Sequence, residues 1–236
     1  YDIVAPILDE LNLTAFFFVY SSVFTEQPDL FEVYRSFRHK CFADMNEFYD
    51  HFFNICLEKN YINHTILIED FQTSDYLLTF DFYSYEDRLF RYIRDVVLSR
   101  KTYSEIMQEM MRGKGFDIEF ESSSLWMSEV QVEELSNRGH VIGLHSHTHP
   151  TNMHTLSAKA QRIEYETNAK LLRETVKSPI CSMAHPCGSY NDNTLQILEA
   201  MNITIGFRSN LDFVLNRSVL EVPRCDHSAL MAALKK

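Results

Sequence analysis

Apolar positions recur in this chain with two periods, and the clearest alternation between them runs from Ser128 to Phe207. Ser128-Glu129-Val130-Gln131 has the Ser-x-x-Gln form of a helix-opening capping box, Val132 and Leu135 continue the helix, and Gly139 closes it. Val141, Ile142 and Leu144 then read as a short buried strand. After Pro150, Ser157 caps a long helix carrying Ile163, Leu171 and Leu172, which Pro179 stops. Ile180 to Ala184 is strand-like, Leu195, Ile197, Leu198 and Met201 follow helical spacing, and Ile203 to Phe207 is again a strand. The order α-β-α-β-α-β implies a parallel sheet or barrel.

Nearer the start, Val4, Ile7, Leu8 and Leu11 fall on one helical face, with Pro6 in the first turn and Asn12 at the end. Ala15 to Tyr20 reads as a buried strand. Strict alternation calls for another strand before that first helix, and the sequence has none. Residues 28–64 place Phe and Tyr on helical spacing, predicting two helices with a break near His39 to Asp44. Leu78, Phe80 and Phe82 alternate as a strand would, and Glu86 to Met111 returns to helical patterning interrupted near Ser99 to Tyr103. Gly113 and Gly115 mark a loop. We read 1–236 as one domain, with residues approximately 28–120 a largely helical insertion within it.

Composition narrows the function. With 22 Lys and Arg against 33 Asp and Glu the formal net charge is −11, without a basic run, which argues against nucleic acid or an anionic membrane surface as a partner. A neutral or cationic sugar remains compatible. The most apolar run, Thr14 to Val19, is far too short for a membrane span. Five cysteines with no C-x-x-C pair read as reduced thiols, which favours a cytoplasmic setting and leaves secretion open, since Tyr1 is not an initiator Met. Oligomeric state is not legible.

Chemistry concentrates where the second strand ends, at Leu144-His145-Ser146-His147-Thr148-His149-Pro150. Carboxyl ends of parallel strands are where such folds assemble sites. His145 and His149, four residues apart, meet if the loop curls through one turn, which turns His147 away. Neutral imidazole is a good Zn²⁺ ligand, and two of them need a third protein ligand and an open position to make a catalytic centre. The next strand delivers His185-Pro186-Cys187-Gly188-Ser189-Tyr190-Asn191 to the same end.

These two loops resemble those of the NodB-type polysaccharide deacetylases, carbohydrate esterase family 4. The His145-Ser146-x-x-His149-Pro150 string is similar to the family's metal motif, and Pro186-Cys187-Gly188 to its Pro-Tyr-Gly loop, with Cys in place of Tyr. The resemblance covers residues 3–20 and most of 125–226. It implies a distorted (β/α)7 barrel, here lacking its first strand, that hydrolyses N-acetyl or O-acetyl groups on a glycan with Zn²⁺ or another divalent ion such as Co²⁺, Ni²⁺ or Mn²⁺. It further implies His145 and His149 as metal ligands and Pro186, Cys187, Gly188 and Tyr190 as substrate-contacting, with the Cys187 main-chain N–H facing the oxyanion.

The family's Asp-Asp motif, which supplies the base and a third ligand, is not found where the pattern puts it. Either the chain is N-terminally truncated or Asp81, in Thr79-Phe80-Asp81-Phe82, is a degenerate remnant and the catalytic base. Ala184 stands where the family has Arg, so Arg224 is a candidate substitute, and His227 a candidate proton donor. Two other readings stay open: a non-catalytic sugar-binding relative, and a metallohydrolase of the amidohydrolase or PHP phosphoesterase type, whose His-x-His resembles His145-Ser146-His147.

Overall fold

The computed structural model describes residues 1–78, 83–122, 124–212, 218–225 and 227–234. The chain divides into two compact units, one made of residues 1–29 and 126–236, the other of residues 30–125.

The first unit opens with α1 (Val4–Glu10) and β1 (Phe16–Val19) and resumes with α8 (Glu129–Asn137), β2 (Val141–Leu144), α9 (Ala158–Val176), β3 (Ser182–Ala184), α10 (Asp192–Ala200), β4 (Ile205–Phe207) and α11 (His227–Leu234). The intervening helices α2 to α7 belong to the second unit. Local signals set these boundaries. Ser128 and Gln131 form the reciprocal capping box, Ser157 accepts from the Ala160 N–H, and Asn191 and Thr194 make a second box opening α10. Lys177, in the left-handed region, ends α9 two residues before Pro179.

All four strands are parallel and lie in sequence order, with Phe16 opposite Val141 and Ser182 opposite Ile205. A parallel bridge from Phe207 to Val222 extends the β4 side. The sheet is strongly curled, because rings on its two outer strands meet: Phe16 and Phe18 of β1 lie 5.2 and 5.5 Å from Phe207 of β4. Gly143 makes room on this concave face, since a Cβ there would stand 2.6 Å from the Phe18 ring and 2.7 Å from Ser182 Oγ. Helices α8, α9 and α10 supply the core on the sheet's other face, with Val132, Leu135, Tyr165, Leu172 and Leu198 fully buried beside Leu144.

Two expectations at the amino end change. The apolar stripe of α1 is largely exposed at Val4, Ile7 and Leu11, while Ala5 takes the packing. On β1 only Val19 is buried; Phe16 is 44% exposed, β1 being an outer strand among the described residues. Met153 is fully buried in the core.

The second unit consists of α2 (Phe31–Lys40), α3 (Met45–Glu58), α4 (His64–Thr73), α5 (Tyr85–Tyr92) continued by a π-helical turn at Ile93–Val97, α6 (Arg100–Gly113) and α7 (Ile118–Ser122). Asp44, Asn63, Ser84 and Ser99 cap α3 to α6 through their side chains. Its core is aromatic: Phe37, Phe48, Phe52 and Phe90 are fully buried, and Phe90 meets Phe48, Phe52 and Tyr49 at 5.0–5.6 Å. The strand expected over Leu78 to Phe82 lies largely outside the described residues. No described helix is long and apolar enough to cross a membrane.

Candidate functional site

The loop leaving β2 is turned back on itself by two residues in the left-handed region, Ser146 (φ 64°) and His149 (φ 52°). Neither is glycine, so each conformation costs on the order of 1–2 kcal/mol and must be enforced by its surroundings. Ser146 Oγ, fully buried, accepts from the His149 N–H at 3.1 Å. Glu164 of α9 takes the His147 and Thr148 N–H groups at 2.9 and 2.7 Å and the Thr148 hydroxyl at 2.7 Å. Asn168, one turn further on and fully buried, accepts from the His145 N–H at 2.9 Å and donates to Val19 O at 3.0 Å, joining the ends of β2 and β1.

The result places the His145 and His149 rings 4.8 Å apart. His147 leaves this pair and bonds Ser21 Oγ through Nδ1 at 3.0 Å. His145 Nδ1 lies 2.8 Å from Ala184 O, and a carbonyl only accepts, so Nδ1 carries the proton and the Nε2 lone pair is directed elsewhere. Burial, reinforced by His149 nearby, pushes the His145 pKa down to about 3, so the ring is neutral at physiological pH. A neutral imidazole with its tautomer fixed by a backbone carbonyl is the form that ligates a metal. The donor set therefore fits two positions of a zinc-type ion. Among the described residues no third His, Cys, Asp or Glu joins the pair.

The loop leaving β3 carries the other candidates. Pro186 is buried, Cys187 is exposed with φ 53°, and Gly188 has φ +67°, where a Cβ would fall 2.3 Å from Ser209 Oγ. Underneath sits a buried network. His185 donates from Nε2 to Leu220 O at 2.8 Å, leaving Nδ1 buried without a partner. Its ring stacks on Tyr190 at 4.3 Å, and the Tyr190 hydroxyl donates to Glu221 at 2.8 Å. Burial alone would raise the Glu221 pKa, but hydrogen bonds from the Ser218 N–H and Tyr190 O–H outweigh it and hold the carboxyl below its usual range. Burial pushes His185 down to about 4.

Among the other sequence candidates, Arg224 is exposed, its N–H bonded to Asn210 O at 3.1 Å, and its charge contributes to depressing the His145 pKa. His227 is exposed at the first turn of α11. Asp81 lies outside the described residues. The arginine buried beneath the Pro-Cys-Gly loop is Arg208, at the end of β4 and 4% exposed, whose charge acts on both Tyr190 and His185. Sequence reading missed Arg208, Glu221, Glu164 and Asn168. Only Glu164 and Asn168 left a signal, as polar residues four apart on one face of α9.

The paired imidazoles stand at a strand's carboxyl end, where parallel α/β folds assemble their sites. Residues 98–206 match the model of the polysaccharide deacetylase family. Both candidate loops fall inside this segment. No curated protein matches the chain. Among solved structures it is similar to the Streptococcus pyogenes deacetylase PplD in complex with acetate, at 22% identity and TM-score 0.41, over 48% of this chain and 51% of that one. It is similar also to the BpsB deacetylase domain from Bordetella bronchiseptica, at 19% and 0.38, over 42% and 48%. A third is BA3943, a CE4 family pseudoenzyme from Bacillus anthracis, at 24% and 0.31, over 32% and 26%. The chain thus spans about half the length, or less, of these structures.

Proposed function

We propose that the chain acts as a metal-dependent deacetylase on an N-acetylated or O-acetylated glycan, with His145 and His149 as two of the metal's protein ligands. The observation that carries this reading is the pair itself: two imidazoles 4.8 Å apart in the family-matched segment, one with its tautomer fixed by Ala184 O. When bound, a divalent ion would polarise the acetyl carbonyl and lower the pKa of a water. The chain's own residues do the positioning. The side chains of Ser146, Glu164 and Asn168 hold the histidine loop in its strained turn. Pro186, Cys187, Gly188 and Tyr190 form the substrate-contacting wall, and the network of His185, Tyr190 and Glu221 fixes that wall from below. Arg224 supplies positive charge near His145, which favours the anionic transition state of acyl hydrolysis. His227 as proton donor is an assignment carried by the family resemblance.

The test is acetate release from N-acetylglucosamine oligomers and from an O-acetylated glycan by zinc-loaded chain. Turnover should be abolished by chelator and restored by zinc or cobalt. Binding of the oligomers without acetate release would favour a sugar-binding relative, and hydrolysis of a phosphate ester instead would favour a phosphoesterase.

A further inference from the structure

The helical unit, residues 30–125, holds a second concentration of charge that the deacetylase reading does not use. Arg38 on α2 is 7% exposed, its guanidinium 5.1 Å from the centroid of Phe90 and 5.6 Å from that of Phe48. Arg94, in the turn following α5, reaches the same Phe90 ring at 5.7 Å. It spends Nε and Nη2 on the two Asp95 oxygens, each at 2.7 Å, and its Nη1 is buried without a partner. Nearby Arg91 is paired with Asp87 at 3.0 Å. Among the described residues Arg38 has no carboxylate partner, and its Nε is also buried without a partner.

Among the described residues, three guanidiniums here face two carboxylates, Asp87 and Asp95. The phenols do not make up the difference: burial pushes the Tyr49 and Tyr103 pKa values upward, so both hydroxyls stay neutral. Burial lowers the Arg38 pKa, and repulsion from Arg94 and Arg91 adds to this, yet a guanidinium does not lose its proton in a protein. Aromatic faces attract the cation, each by roughly 0.5–2 kcal/mol, but they leave its in-plane N–H donors unfilled. A buried charge with unfilled donors is expensive, and buried charges are as a rule paired. The fork of a guanidinium matches an acceptor with two oxygens.

We propose that Arg38 and Arg94 form a binding site for one small oxyanion, of the carboxylate or phosphate class, which accepts hydrogen bonds from Arg38 Nε and Arg94 Nη1. The site neutralises Arg38, a buried cation with no carboxylate partner among the described residues.

The experiment is equilibrium dialysis of the whole chain, stripped of metal by chelator, against labelled acetate and labelled phosphate separately, at constant ionic strength in chloride. We expect saturable binding of about one anion per chain, with a parallel rise in Tm. Binding of acetate alone identifies a carboxylate site, and of phosphate alone a phosphate site. Arg38→Met and Arg94→Met should each weaken binding at least about tenfold, one buried charge-assisted bond, whereas Lys101→Met, at an exposed position, should not. Should Arg38→Met fail to fold, Arg38→Lys keeps the charge and loses the fork, and should still bind at least about tenfold more weakly. Absence of saturable binding of either anion to the unaltered chain, or unchanged affinity in the Arg38 variants, would overturn the proposal.

Discussion

The sheet unit packs aliphatic side chains such as Leu135, Leu144, Leu172 and Leu198 behind parallel strands, whereas the helical unit packs Phe37, Phe48, Phe52 and Phe90 around buried arginines. Each keeps polar groups inside, and each leaves some buried polar atoms without a partner among the described residues, His185 Nδ1 and Arg208 Nε in the sheet unit among them; they differ in what surrounds the rest. In the sheet unit Asn168, Gln161 and Thr194 are fully buried with their side-chain polar groups engaged in hydrogen bonds, and they tie strand ends and helix starts together. In the helical unit the guanidiniums of Arg38 and Arg94 rest on ring faces and retain unfilled donors. A satisfied polar network fixes one geometry, as a reacting centre demands.

The contrast is broken most severely by removing the ring on which both arginines rest. Phe90→Ala should cost about 3–5 kcal/mol in urea denaturation, since cavity and lost stacking add. Asn168→Ala is the counterpart in the sheet unit. It strands the His145 N–H and the Val19 carbonyl, each worth roughly 1–3 kcal/mol when left buried and unpaired, and should cut acetate release because the histidine loop loses its anchor. If Asn168→Ala left both stability and turnover unchanged, the anchoring account would be wrong.

A smaller effect separates the two interiors by pH. His185 is buried neutral, with its pKa pushed down to about 4 against an ordinary value of 6.5. Above pH 6.5 neither folded nor unfolded chain protonates it. Below that, the unfolded imidazole takes a proton that the folded one refuses, so stability falls with pH until the folded group titrates near 4, by at most about 1.4 kcal/mol per pH unit. His185→Gln, which retains a donor for Leu220 O, should flatten that part of the slope between pH 6.5 and 4. An equal slope in the variant would show that the imidazole is not the group refused its proton. Glu164→Gln should be milder at neutral pH, about 1 kcal/mol, as charged acceptor bonds to two N–H groups become neutral ones.

Much of the sheet unit could be read from its residues, because its signals are local. Ser128-x-x-Gln131, Ser157 and Asn191 announce helix starts, Gly139 and Pro179 mark ends, and short apolar runs between them have little choice but to be parallel strands. The turn bringing His145 to His149 was legible from spacing alone. What was not legible depends on partners far away in sequence. Nothing near Phe16 says that it will meet Phe207, and the stripe on α1 predicted a face that the structure leaves largely exposed. Arg208 was not legible because Tyr190 is brought to it only by the pairing of β3 with β4, and the Ala184 position pointed to Arg224 instead. In the helical unit, aromatic spacing gave the helices, but stacking of Arg38 and Arg94 on one ring required three dimensions.

The central claim is that His145 and His149, and not His147, hold the metal. Its most direct test is elemental analysis by mass spectrometry of purified, zinc-equilibrated chain in four forms: unaltered, His145→Ala, His147→Ala and His149→Ala. The account predicts bound zinc in the unaltered chain and in His147→Ala, whose ring is bonded to Ser21, and its loss from the other two. Equal loss from all three variants, or zinc retained in both His145→Ala and His149→Ala, would contradict it.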